Sequence, residues 1–338
     1  MKEIMTVGMD IAKSVCHVIG LDDKEREVTK KMLKRPQVLS WFANLPPCLI
    51  GIEACAGAHE WARRLQAMGH EVRLIPPQYV KAYLRGNKND YNDARAIAEA
   101  VLRPGMRFVA IKTVEQQDIQ ALHRLRAAAI GERTALCNRL RGLLAEYGVV
   151  LPQGVATFRR RIPELLEDGE NTLTPLFRRL LDHGYRQLLE VDDNILFYTG
   201  FIEEQGRNNE AEQHLRTVPG YGPIVASVFY ATVGNGQAYH RGRDVSASLG
   251  LVPRQHSSGG KEVLLGISKR GDSYLRGLLV HAARAVLRTA HLKEDRLSRW
   301  AVKIKTERGA NKAAVALANK LARIGWAVLR HNTIYQTA

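Results

Sequence analysis

Through the first hundred residues the apolar positions fall in short runs broken by turn residues. Residues 4–11 read as a buried strand that ends near one carboxylate, Asp10. Residues 14–21 read as a second strand. Asp22-Asp23-Lys24 then supplies a turn, and the alternation over residues 25–33 predicts a third strand. Connections this tight join antiparallel neighbours. A short helix is predicted over 36–45 with Pro36 at its start, then an apolar strand over 48–53 that again ends in an acid, Glu53. An amphipathic helix over 58–68 stops at Gly69. A strand over 71–75 closes at Pro76-Pro77, a short helix covers 78–84, and Asp90 opens a helix to about residue 102.

Beyond residue 113 the spacing turns helical. Residues 114–147 predict one long helix with an apolar stripe of Ile119, Leu122, Leu125, Leu136, Leu140, Leu143 and Leu144, ended by Gly148 and Pro152. A shorter helix is expected around 163–168. A second long helix is expected over 174–205, with Gly184 its weak point. The pair suggests an antiparallel hairpin or an intermolecular coiled coil. Leu215 to Ala226, with Gly220, Tyr221 and Gly222 at its centre, resembles a helix-hairpin-helix whose turn offers backbone N–H groups to a phosphate. Helices over 273–290 and up to about 330 close the chain. These patterns divide the chain into residues 1–112, 113–207 and 208–338.

The chain has 338 residues, enough for a sizeable core, and a formal charge of +16 spread along its length. That balance favours a polyanionic partner bound on folded surfaces rather than by a tail. Cys16, Cys48, Cys55 and Cys137 have no metal-ligand or paired spacing and read as small buried residues of a reducing compartment. No signal peptide and no bilayer-length apolar run is evident, so a soluble intracellular protein is expected.

Asp10 and Glu53 at strand ends and Asp90 with Asp93 on one helical face are costly to bury unless a cation neutralises them. Converging carboxylates are what two-metal phosphoryl transfer requires, and Mg²⁺ is the expected ion. The element order resembles the RNase H/RuvC-like nuclease fold, a mixed five-stranded α/β sheet with acids on its first and fourth strands and last helix. Taken singly, each acid also suits a cap, a turn or a solvated surface.

A second cluster lies at Ser257-Ser258-Gly259-Gly260, flanked by Arg254, His256 and Lys261, with Lys269 and Arg270 close by. Glycines admit a phosphate to the backbone and cations offset its charge. The residues alone leave open whether a serine binds a phosphate or attacks it.

The set Gly8-Met9-Asp10, Gly51-Ile52-Glu53, Asn89-Asp90-Tyr91-Asn92-Asp93-Ala94, Val218 to Pro223, Gly250 to Pro253, Ser257 to Lys261 and Ser268 to Gly271 resembles the DEDD transposases of bacterial insertion sequences. Within these it is similar to the insertion-sequence one-ten family and its eleven-eleven branch. The resemblance spans essentially the whole chain. It implies a RuvC-like nuclease domain, a coiled-coil linker and a mostly helical C-terminal transposase domain, in a cytoplasmic, nucleoid-associated DNA recombinase. It implies a Mg²⁺ site at Asp10, Glu53, Asp90 and Asp93, and a nucleophile at the serine directly before the glycine, Ser258, with Ser257 the alternative. It further implies donor and target DNA, an element-encoded guide RNA of the bridge or seek type, and a composite active site in a homodimer or homotetramer. Two rivals remain: a RuvC-type resolvase that uses water, and a non-catalytic nucleic-acid-binding protein.

Overall fold

A computed structural model describes residues 3–87 and 89–337. The chain forms two compact units that divide between Thr113 and Val114.

The first unit contains strands β1 (Thr6–Ile11), β2 (Val15–Leu21), β3 (Glu27–Lys34), β4 (Leu49–Glu53) and β5 (Glu71–Ile75), with helices α1 (Arg35–Ala43), α2 (Ala58–Ala67), α3 (Pro77–Val80) and α4 (Asp90–Val101). A single 3-10 turn, Lys81–Tyr83, follows α3. The sheet order is β3-β2-β1-β4-β5. The first three strands in sequence form the antiparallel meander, while β1, β4 and β5 are parallel.

Strand alternation sorts the side chains onto two faces. Val7, Met9, Cys16, Val18, Ile50 and Ile52 share one cluster with Phe42 of α1 and with Trp61 and Leu65 of α2. The opposite face carries Ile19 and Leu21, which pack with Ala94 and Ala98 of α4. Asp10 is two residues beyond Gly8, and Glu53 two beyond Gly51, so both acids belong to the α4 side of the sheet.

Gly8 and Gly51 are register partners on β1 and β4. A β carbon at Gly51 would stand 2.9 Å from Val101 Cβ, and one at Gly8 would stand 2.5 Å from the Ala98 backbone nitrogen. Two absent side chains thus let α4 lie flat on the sheet.

The second unit opens with α5 (Val114–Ala145), α6 (Val155–Glu167) and α7 (Pro175–Arg207). α5 and α7 run antiparallel: Arg126 Nε donates to Thr199 Oγ1 at 2.8 Å, Arg133 pairs with Asp192, and Gly184 faces Leu140. Gly184 is a contact point rather than a weak point, because a β carbon there would come within 2.8 Å of Leu140 Cδ2. Of the expected α5 stripe, Ile119, Leu136, Leu140 and Leu144 are buried, but Leu125 and Leu143 are exposed and His123 is buried instead. α6 begins eight residues earlier than expected, and Pro163 lies inside it.

Then follow α8 (Glu210–Arg216), α9 (Pro223–Val233), α10 (Gly242–Ser248), a hairpin of β6 (Pro253–Gln255) and β7 (Leu264–Ile267), and helices α11 (Ser273–Thr289), α12 (Arg296–Arg308) and α13 (Ala310–His331). Phe229 of α9, Leu275 and Leu279 of α11, and Leu317 and Leu321 of α13 lie at the centre of the core. α5 joins this core through His123, whose ring nitrogens lie 3.2 Å from Ser227 Oγ and from Tyr274 Oη. Among the described residues no helix is long and apolar enough to cross a membrane.

Candidate active site

α4 starts where Asn89 caps it, its side chain accepting from the Tyr91 N–H at 2.9 Å. Asp90 and Asp93 occupy the first turn, where the helix dipole favours negative charge. Because α4 lies across Gly8, this turn meets the end of β1. One carboxylate oxygen from each of Asp10, Asp90 and Asp93 lies within 4.8 Å of the others.

Glu53 stands at the end of β4 and does not join that close trio. It is nevertheless electrostatically linked to it: burial and the Asp93 charge raise its pKa, while Lys81 opposes them. Asp10 is pushed up to about 6, first by burial and then by the charges of Asp93, Asp90 and Glu53. Such crowding is unfavourable without a counter-charge, and a divalent cation is suited to supply one. The donor set is all oxygen, as a hard cation prefers.

The serine cluster forms a β-hairpin tip. Gly259 and Gly260 both have positive φ, 57° and 78°, which a two-residue turn of the hairpin type requires. Lys261 N–H closes the turn on the Ser258 carbonyl at 3.1 Å. Arg254, His256, Ser257, Ser258 and Lys261 are all exposed. Ser257 Oγ accepts from Gln255 Nε2 at 2.9 Å, whereas the Ser258 hydroxyl has no hydrogen-bond partner among the described residues. The base is fixed: Ser268 N–H donates to Val252 O, Lys269 N–H to Gly250 O, and Arg276 Nη1 reaches the carbonyls of Leu249 and Arg270. Lys269 and Arg270 are exposed at this base.

The IS116/IS110/IS902 family of transposases matches residues 212–297, which include the serine hairpin. The DEDD transposase family of the IS110 type matches residues 7–149, which include all four acids. The chain is 46% identical to the transposase for insertion sequence element IS1111A of Coxiella burnetii, over 99% of this chain and 92% of that protein. It is 45% identical to a probable family 20 transposase of Pseudomonas aeruginosa, over 98% of each chain. It is 39% identical to the transposase for insertion sequence element IS1328 of Yersinia enterocolitica, over 99% of each.

The chain belongs to the IS110 family of DEDD transposases. It is therefore a transposase of an insertion sequence, an enzyme acting on DNA.

Two expectations for this transposase need correction. Tyr221, grouped with Gly220 and Gly222 as a nucleic-acid contact, is buried, and its hydroxyl donates to the Leu321 carbonyl at 3.0 Å. The glycines at the α8–α9 turn remain at the surface or partly so, while the ring between them belongs to the core. Cys55, expected to be buried like the other three cysteines, is exposed because it sits in the turn between β4 and α2.

One neighbour of the site is not evident from the sequence motifs. His17 is the register partner of Asp10 on β2, and its Nδ1 lies 3.5 Å from Asp90 Oδ2, close but outside hydrogen-bond geometry. Its ring meets Tyr91 edge-on at 4.7 Å. The signal is present in the alternation of β2, which puts His17 on the face of Ile19 and Leu21.

Proposed function

We propose that this transposase cuts and rejoins DNA strands through a phosphoserine link to Ser258, with Mg²⁺ held by Asp10, Asp90 and Asp93 and supported by Glu53. The observation that carries this reading is the convergence of three acidic side chains at one sheet end, with no lysine or arginine ion-paired to them among the described residues. Magnesium at these oxygens would supply positive charge to a scissile phosphate and orient it.

The Ser258 oxygen attacks phosphorus, losing its proton. The bond to the 3′ oxygen breaks, and that oxygen leaves with a proton as a free hydroxyl. The 5′ phosphate stays on the serine. A 3′ hydroxyl of the partner strand then attacks the same phosphorus and releases the serine, so the number of phosphodiester bonds is conserved without an outside energy source. The exposed tip and the unengaged hydroxyl of Ser258 support its assignment over Ser257, whose oxygen is already hydrogen-bonded.

In this reading residues 1–112 hold the metal, 113–207 form a coiled-coil linker, and 208–338 bring the serine. Donor and target DNA pair with an element-encoded guide RNA, so sequence choice rests on base pairing. The backbone of Gly220 and Gly222 in a helix-hairpin-helix, together with Arg254, His256, Lys261, Lys269 and Arg270, contacts phosphates. The acids of one copy act with the serine of another in a homodimer or homotetramer. Leu189, Leu196, Phe197 and Phe201, exposed on α7, support such association.

The test is a denaturing gel with end-labelled DNA, guide RNA and Mg²⁺. The expected product is a covalent protein–DNA adduct, lost with Ser258→Ala and retained with Ser257→Ala. The reverse pattern would move the nucleophile to Ser257. Cleaved ends without any adduct would favour a resolvase that uses water, and no breakage under any divalent ion would favour a binding protein.

A further inference from the structure

A cleft of about 400 Å³ lies between the start of α10 and one face of α13, outside both the acidic site and the serine hairpin. Lys320, Arg323, Ile324 and Ala327 share that face at the i, i+3, i+4, i+7 spacing, and Arg241, just before α10, and Arg243, in its first turn, approach from the other side. Trp326 forms a side wall, its indole fixed by a hydrogen bond from Nε1 to the Gly236 carbonyl at 3.0 Å.

Four cations thus border one small volume. No salt bridge engages any of them among the described residues. Asp244, the acid nearest in sequence, accepts from the Arg241 backbone N–H at 3.1 Å. Lys320 Nζ lies 4.1 Å from the centroid of the Trp300 ring, so an aromatic face partly compensates its charge. Burial, then Arg296 and Arg323, lower its pKa, which marks crowding of like charge.

Hydrogen bonds and close packing join the two helices. Ser246 Oγ of α10 donates to the Asn319 carbonyl of α13, and Asn319 Nδ2 donates to the Leu251 carbonyl. Gly242 sits where a β carbon would be 3.1 Å from the Trp326 ring, so α10 and α13 meet closely at the floor of the cleft. Cations held together by packing, with no acid in a salt bridge to them among the described residues, are arranged for an anion from outside.

We propose that this cleft is a phosphodiester-binding subsite that grips the backbone of a nucleic acid strand while Trp326, Ile324 and Ala327 face the sugar or base beside it. Two features favour a polymer over a small free anion. The cations are distributed over two helices along an open cleft, where successive phosphates can lie, and the apolar wall has no use for inorganic phosphate. The inference does not depend on the phosphoserine step, and its test excludes that step.

Full-length protein carrying Ser258→Ala, in chelator, is titrated by fluorescence anisotropy with short labelled single-stranded DNA, RNA of the same sequence and duplex DNA over a range of salt. The Arg241→Gln/Arg243→Gln pair and the Lys320→Gln/Arg323→Gln pair are compared with the parent. Each pair is expected to weaken binding to at least one polymer by on the order of tenfold. It should also flatten the log K against log salt slope by roughly 0.7 to 0.9 for each phosphate that the protein no longer neutralises. The polymer whose slope changes identifies the strand that occupies the cleft.

Unchanged slope and affinity on all three polymers would overturn the proposal. So would a loss confined to inorganic phosphate binding measured by calorimetry. If the α13 pair alters the circular dichroism melt, the exposed α10 pair decides alone. A failure here leaves the adduct assay untouched, and a failed adduct assay leaves these isotherms untouched.

Discussion

Gly8 of β1 lies directly beneath Ala94 of α4: a β carbon on Gly8 would collide with the Ala94 carbonyl oxygen. The approach of Asp90 and Asp93 to Asp10 depends on that missing side chain. Gly8→Ala is expected to destabilise the protein by about 3 kcal/mol, the upper range for overpacking, because the obstacle is backbone. Gly51→Ala meets side-chain atoms of Val101 and Ile97 first and should cost less, about 1 kcal/mol. Urea unfolding of the two variants checks the order; equal costs would mean that α4 shifts freely.

Asp10 holds its proton until about pH 6, chiefly through burial and the neighbouring acids. A carboxyl whose folded pKa is raised above its unfolded value adds most stability at low pH and loses it as pH rises through about 6. A bound cation reverses that penalty. The rise in Tm on adding Mg²⁺ should therefore be larger near about pH 7.5 than near about pH 5, and should vanish in Asp10→Asn. An equal rise at both pH values would detach the ion from these acids.

His123 behaves oppositely. Burial, then the Arg126 guanidinium, push its imidazole down to about 4. The unfolded chain takes up the proton first, so stability is present above about pH 6.5 and is lost as pH falls toward about 4, by about 3 kcal/mol in all. His123→Gln should flatten this acid limb in a series of urea midpoints, whatever it does to stability at neutral pH. A limb of unchanged steepness would assign the acid loss to other groups.

Tyr221→Phe removes the hydroxyl that donates to the Leu321 carbonyl. A loss of about 1 kcal/mol is expected, with affinity for DNA unchanged. Weaker DNA binding at unchanged stability would return Tyr221 to the nucleic-acid surface.

The sheet and its acids are legible in the sequence because four strands are short apolar runs and β3 alternates, and turn residues or prolines mark most of their limits. The approach of α4 to Gly8 and Gly51 is not, since a glycine in a strand reads the same whether a helix or nothing lies above it. In α5 the expected stripe steps by threes from Ile119 through Leu122 to Leu125 and so drifts off the buried face, whereas His123, four residues beyond Ile119, stays on it and is passed over as polar. In α6 the basic run Arg159-Arg160-Arg161 hides the buried spacing of Phe158, Ile162 and Leu165, and Pro163 resembles a helix start. The serine hairpin is not legible either, since the paired glycines read equally as a loop that admits a phosphate, and the placement of Tyr221 depends on Gly325, which opens room for its hydroxyl on α13.

The hairpin tip also bears on the host. Its serine stands in solvent with no hydrogen-bond partner for its hydroxyl among the described residues, and an alcohol without a base is a feeble nucleophile at neutral pH. A solitary molecule diffusing over the chromosome is then harmless under the phosphoserine reading. On that reading, cutting would wait for an assembly that brings the acids and a base to the hydroxyl.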